Sequence, residues 1–249
     1  MSPGAPLSPP RRVCLTVDAE PDCPPYLWSW RGMEEGAPAL LDLLAEEDVP
    51  ATVFTTGDTA RRYPGFVESV VTRGHELASH GLTHTPFDRL SPEAARREIV
   101  ETSALLREHA AVTSFRAPNL RFPDAYLPLL EGDGYHVDSS RGRYKPAHWR
   151  PSAPTGLTRI PASVTSSWLR LPGWLRDPVL RRLDDPVVLF VHPWEFVDLR
   201  TAPIPWDCRA GTGPGALERL REALAVLRAG GAAFVRMREV AASAGVWSP

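Results

Sequence analysis

The chain has 249 residues, 43% of them hydrophobic and 23% charged, the balance of a soluble globular protein long enough to bury a sizeable core. A net charge of −2 gives no basis for nucleic-acid binding, and no run approaches the ~20 apolar residues of a membrane span. Three cysteines, Cys14, Cys23 and Cys208, lack metal-type spacing and speak against a disulfide framework.

Residues 1–11 are rich in Pro and Gly and lack the apolar core of a secretory leader. They are expected to form a flexible N-terminus ahead of one domain over residues 12–249, and the location is expected to be cytoplasmic. Residues 12–17 read as a first strand that ends at Asp18-Ala19-Glu20-Pro21-Asp22. Prolines break regular structure there, leaving a loop over 21–32 with Tyr26, Trp28 and Trp30. A helix is predicted over 33–47 with Leu40, Leu41, Leu44 and Val49 inward, then a strand over 51–56 and helix over 59–73 interrupted at Pro64. A third strand runs into His80. His80 and His84 stand four apart, so a helical turn at this point would put both imidazoles on one face, where they could share a cation.

Ser91-Pro92-Glu93 is a helix start, with a capping hydroxyl, proline in the first turn and an early acid. Ala95, Ile99, Leu106 and Ala110 follow on one face. Short strands are predicted over 112–115, ending at Arg116, over 135–137, ending at Asp138-Ser139-Ser140, and over 157–160, with a helix over 124–133. Residues 162–186 have no clear assignment. Val187–Val191 is the plainest strand and ends at His192-Pro193-Trp194-Glu195. A helix over 215–229 carries Leu217, Leu220, Leu224 and Leu227 on one face, and a short strand over 233–235 and a final helix close the chain. Strands alternating with helices, with runs apolar on both faces, predict a parallel sheet with helical crossovers.

Asp18, Glu20, His80, Arg116, Asp138 and His192 all fall at or just past the carboxyl ends of predicted strands, which share one rim in a barrel. Taken singly, each has a plainer reading. Asp18 and Asp138 suit turns, Arg116 suits a surface, and His192 suits a buried strand end.

In these residues the chain resembles the polysaccharide deacetylase family of NodB-homology proteins, the carbohydrate esterase family 4 group. The family's Thr-Phe-Asp-Asp-Gly stands here as Thr16-Val17-Asp18-Ala19-Glu20. Its His-Ser/Thr-x-x-His stands as His80-Gly81-Leu82-Thr83-His84, its Arg-x-Pro as Arg116-Ala117-Pro118, its following-strand aspartate as Asp138, and its Leu-x-His as Phe190-Val191-His192. A subgroup with Asp-x-Glu in the first motif and His-Pro-Trp-Glu in the last is closer still. The resemblance implies a distorted (β/α) barrel of about seven parallel strands and one divalent metal ion, zinc first, with cobalt, manganese or nickel as alternatives. It implies Asp18 as general base held by Arg116, and His192 as general acid tuned by Asp138. Ala19 replaces the aspartate that most relatives use as third ligand, so the ligands are expected to be His80, His84 and Glu20, with Asp22 in reserve. Trp194, Trp28 and Trp30 are expected to form an apolar wall against a sugar ring. The implied activity is removal of an N-acetyl group from an amino sugar or glycosylated small metabolite. The alternatives are a deformylase or cyclic-amide hydrolase, and a non-catalytic carbohydrate-binding protein that has lost the metal.

Overall fold

A computed structural model describes residues 10–151 and 153–243, so most of the expected flexible N-terminus lies outside the described residues. Seven strands run parallel: β1 (Arg12–Ala19), β2 (Ala51–Thr55), β3 (Glu76–Ser79), β4 (Ser114–Phe115), β5 (Val137–Asp138), β6 (Thr158–Arg159) and β7 (Val187–Val191). Their spatial order is β6-β5-β4-β3-β2-β1-β7, and β8 (Ala233–Phe234) takes the lower end of β1, on the edge that β7 leaves free. The wall curls around between β6 and β7, where the Ser163 N–H donates to the Val188 carbonyl at 2.8 Å and Ser163 Oγ accepts from the Val188 N–H at 2.9 Å. This is the expected distorted barrel.

The crossovers are α1 (Ala37–Glu46), α2 (Gly57–Arg62), α3 (Pro64–Thr72), α4 (Pro92–Arg107), α5 (Leu127–Gly132), α6 (Gly173–Arg182), α7 (Trp206–Arg209) and α8 (Pro214–Ala229), with α9 (Met237–Ser243) after β8. The unassigned stretch 162–186 is a 3-10 segment, Ser166–Arg170, followed by α6. The helix expected from residue 33 begins instead as a wide π-type turn, Gly32–Gly36. That turn packs directly on the chain after β7: a Cβ on Gly36 would lie 2.0 Å from the Pro193 carbonyl oxygen, so only glycine permits the approach.

Strand alternation sorts the side chains into two layers. Val13, Leu15, Val17 and Ala19 of β1, and Val187, Leu189 and Val191 of β7, join the helices in an outer core. Cys14, Phe54, Ala78, Val137, Ile160 and Val188 form a smaller inner core with Met237, Val240 and Ala241 of α9. The same alternation carries upward. Asp18 and Glu20 share the parity of Cys14, and His192 shares that of Val188, so the inner face of the barrel opens at its carboxyl rim onto these groups.

His75, at the foot of β3, is buried and accepts the Ala51 N–H on Nδ1 at 3.2 Å. Burial, with Arg73 and Arg236 nearby, pushes its pKa down to about 4. Because the folded state resists protonation more than the unfolded chain, whose histidine titrates near ~6.5, this site's contribution is complete above pH ~6.5 and is lost as pH falls toward 4. The loss is ~2 kcal/mol at pH 5 and approaches ~3 kcal/mol at pH 4. Denaturant titrations at pH 7 and 5 should show it in the wild type and not in His75→Gln; equal pH dependence in both would contradict it.

Candidate metal centre and active site

The chain between His80 and His84 is not helical. Gly81 has φ +77° and His84 has φ +60°, and two left-handed residues turn the backbone sharply enough to bring the rings together without a helix. Gly81 is required by its φ and by crowding, since a Cβ there would lie 3.3 Å from the Phe87 ring and 3.4 Å from the Glu98 carboxylate. Four of the loop's backbone groups are tied to the elements on either side. The first N–H groups of α2, from Gly57 and Asp58, donate to the Gly81 and Leu82 carbonyls at 3.0 Å each. Glu98 on α4, itself buried, accepts the Leu82 and Thr83 N–H groups at 2.6 and 3.0 Å and the Thr83 hydroxyl at 2.6 Å. A bond network of this kind holds a left-handed non-glycine residue in place.

Glu20 lies between the two rings. Its Oε2 is 2.6 Å from His84 Nε2 and 3.2 Å from His80 Nε2. One donor atom from each of the three residues lies within 4.8 Å of the others, and all three are buried. His80 Nδ1 faces the Arg116 carbonyl at 2.8 Å. A proton on Nδ1 satisfies that carbonyl and leaves the Nε2 lone pair facing Glu20, the state a metal ligand needs. Ligands on a tetrahedral zinc stand ~3.3 Å apart; the His80 to Glu20 spacing meets this, and His84 sits about 0.7 Å inside it. Two imidazole nitrogens and one carboxylate oxygen fit a divalent ion. Without a cation, with protons on the ring Nε2 atoms, burial opposes the ionised form of Glu20, but charge on His84 and His192 and the bonds from His80 and His84 outweigh it and hold the carboxyl well below its ordinary range; a metal ion would take the place of those protons.

Ala19 points the other way, into the outer core, with no exposure. Strand parity thus gives the rim position to Glu20. Asp22 is engaged elsewhere. Its carboxylate accepts the Ser29 hydroxyl at 2.6 Å and the N–H groups of Arg31 and Gly32 at 2.9 and 2.8 Å, clasping the 21–32 loop.

Asp18 and His192 flank the trio. Asp18 Oδ1 receives Arg116 Nη1 at 2.6 Å, and Oδ2 lies 4.0 Å from His192 Nε2. Arg116 has no exposed surface; its Nη1 also donates to Thr16 Oγ1 at 2.7 Å, its Nη2 donates to Ser139 Oγ at 3.0 Å, and its guanidinium lies 4.2 Å from the Phe54 ring centroid. It is therefore a buried cation matched to Asp18 rather than a surface arginine. His192 Nε2 is 3.8 Å from Glu20 Oε1. Burial would lower the pKa of His192, but Glu20, then Glu195 and Asp18, push it up to about 9.

The expected partnership of Asp138 with His192 is not what the fold builds. Val137 is in the inner core and Ser139 reaches Arg116, so alternation turns Asp138 outward beside its register partner Arg159, whose Nε donates to it at 2.8 Å. Its other oxygen accepts the Ser140 N–H at 3.0 Å. His192 Nδ1 instead faces Glu195 Oε1 at 2.6 Å. Glu195 was legible in His-Pro-Trp-Glu as an acid three residues after the histidine, a spacing that brings side chains together in a tight helical turn.

The three tryptophans are not one wall. Trp194 is buried, stacks on His192 with centroids 4.8 Å apart and planes 22° apart, and donates its Nε1–H to Glu20 Oε1 at 3.3 Å. Trp30 packs against Tyr63 and under Arg62. Trp28 is exposed on the 21–32 loop.

No helix among the described residues is long and apolar enough to cross a membrane. A family model described as polysaccharide deacetylase matches residues 7–137, a span that contains Asp18, Glu20, His80, His84 and Arg116 and ends before His192. A chitooligosaccharide deacetylase of Sinorhizobium fredii is 36% identical over 131 residues, 51% of this chain and 60% of that protein. The chain thus spans less than two thirds of that relative's length. Among solved structures, a chain from Mycobacterium smegmatis assigned to the polysaccharide deacetylases shares 23% identity at a TM-score of 0.67, covering 100% of this chain and 96% of its own. A pseudoenzyme of the carbohydrate esterase 4 family from Bacillus anthracis shares 18% identity at a TM-score of 0.64, covering 93% and 66%. At these identities the structures speak for the fold, while the match over more than half of the sequence places the chain in the polysaccharide deacetylase family.

Proposed function

We propose that the protein is a metal-dependent deacetylase that hydrolyses the acetamide of an N-acetylated amino sugar. The observation that carries this reading is the convergence of Glu20, His80 and His84 on one point, with Asp18 and His192 on either side of it. A divalent ion held by those three residues, with zinc the first choice and cobalt, manganese or nickel as alternatives, would supply a Lewis acid that acidifies water and stabilises charge on the carbonyl oxygen.

The chain's own groups divide the proton work. Arg116 occupies Asp18 Oδ1 and leaves Oδ2 to receive the proton of the attacking water. His192, with Nδ1 on Glu195 and Nε2 facing Asp18, gives a proton from Nε2 to the amine nitrogen as the C–N bond breaks. Trp194 shields Glu20 and His192 from solvent on one side. The curated relatives act, by name, on chitooligosaccharides and on peptidoglycan N-acetylglucosamine, and oligomers of N-acetylglucosamine are the first substrates to try. The outward, buried Ala19 and the inward Glu20 weigh against a binding protein that has lost its metal.

The test is acetate release. Zinc-loaded protein should liberate acetate from tri- or penta-N-acetylchitooligosaccharide, chelation should abolish this, and added zinc should restore it. Formate from N-formyl amino sugars without acetate from the acetylated ones would favour the deformylase. Neither acid from any amino sugar would overturn the reading.

A further inference from the structure

His192 is the last residue before a 3-10 turn, Pro193–Phe196. Proline fixes the first step of that turn, and in a 3-10 helix residues three apart eclipse. Glu195 therefore folds back over His192: its Oε1 is 2.6 Å from the ring Nδ1 and accepts the His192 backbone N–H at 3.2 Å. The far oxygen, Oε2, pairs with Arg170 Nε at 3.4 Å. Arg170 is buried and tied down in turn, with its two terminal nitrogens donating to the Cys208 and Asp207 carbonyls at 2.7 Å each and its guanidinium near the Trp194 ring. The imidazole is also bounded on its surfaces, by Trp194 stacked at 4.8 Å and Phe190 edge-on at 5.5 Å. Only Nε2 is left facing Asp18 and Glu20.

The geometry points to Glu195, anchored by Arg170, as the positioning residue for His192 in place of the motif aspartate Asp138. Glu195 keeps the proton on Nδ1 and holds the ring plane so that Nε2 delivers its proton to the departing nitrogen. This rests on the deacetylase reading for its chemical consequence. In that reaction water loses a proton to Asp18 and forms the new C–O bond. The C–N bond breaks, the amine nitrogen takes the Nε2 proton, and the free amine leaves with acetic acid, which carries water's second proton. His192 is then neutral, with its remaining proton on Nδ1 still held by Glu195, until the proton on Asp18 passes to His192 Nε2 and resets the pair. A carboxylate beside an imidazole that sets its tautomer and orientation is a general device for such a transfer.

The experiment compares two substrates and reads the tautomer directly. An acetamide needs a protonated leaving group; 4-nitrophenyl acetate does not, because nitrophenolate departs as an anion. Glu195→Gln should lower kcat on tri-N-acetylchitotriose about 100-fold with KM within about twofold, and should change 4-nitrophenyl acetate hydrolysis less than about threefold. Asp138→Asn should leave the ratio between the two substrates as in the wild type. Independently of turnover, 15N-labelled wild type should show a downfield, exchange-protected Nδ1–H of His192 that disappears in Glu195→Gln and persists in Asp138→Asn. Should Glu195→Gln not fold, Glu195→Asp, which keeps the charge but shortens its reach, is read in the same two ways. An unchanged Nδ1–H signal in the Glu195 variant, equal losses on both substrates, or the selective loss appearing in Asp138→Asn would overturn the assignment. Wild type inert toward both substrates would instead sink the deacetylase reading, and the Nδ1–H signal would still decide which carboxylate holds His192.

Discussion

Asp18→Asn is expected to lower kcat for acetamide hydrolysis about 1,000-fold, with KM and metal content close to those of the wild type. The effect is this large because the change removes the proton acceptor and spares the shape of the site. Asn retains an oxygen for Arg116 but has no basic lone pair to offer water. Metal content is spared because Asp18 is not one of the three converging donors. The same substitution leaves Arg116 as a buried cation without its counter-ion. Breaking a buried pair in this way costs roughly 3–5 kcal/mol, and the hydroxyls of Thr16 and Ser139 and the ring of Phe54 should keep the loss near the lower end. Steady-state kinetics, metal analysis and a denaturant titration on one preparation separate these effects. Retained turnover would show that Asp18 is not the base; lost metal would show that the ligand set is wrongly drawn.

The sequence made the sheet legible where strands are long and apolar on both faces. Val187–Val191 is a strand over those five residues, and Ser91 caps α4 through its hydroxyl as the Ser-Pro-Glu start predicts. It was least informative where ladders are two residues long, as at β4, β5 and β6. In such a short strand a shift of one residue changes which side chain faces inward. Asp138 shows the consequence: motif order put it on the rim, but the parity of Val137 and Ser139 turns it toward Arg159. Parity worked in the other direction at Ala19 and Glu20, where counting inward positions from Cys14 identifies the carboxylate that reaches the rim.

The spacing of the histidine pair, weak by itself, gains its weight from the other polar residues at strand ends, and the helical turn it suggests is not how the chain joins them. A helix would have joined His80 and His84 through one face; the chain uses two left-handed turns and a buried glutamate, Glu98, sixteen residues beyond Leu82. No local pattern announces that support. Glu195 differs, because a proline-led turn puts an acid at the third position after His192, and that geometry can be read from four letters. Arg170, which completes the chain of contacts to His192, comes from the stretch with no periodic pattern, where only the folded chain shows what it meets.

The most direct measurement is metal stoichiometry after equilibration with zinc, for the wild type and for Glu20→Ala and His80→Ala. Wild type should hold one ion per chain. Each variant should bind at least ~100-fold more weakly, beyond the 10–100-fold that loss of an outer partner costs, because each removes one of the three donors that converge among the described residues. A wild type that binds no divalent ion, or variants that bind as tightly as the wild type, would contradict the convergence of Glu20, His80 and His84 on a single cation.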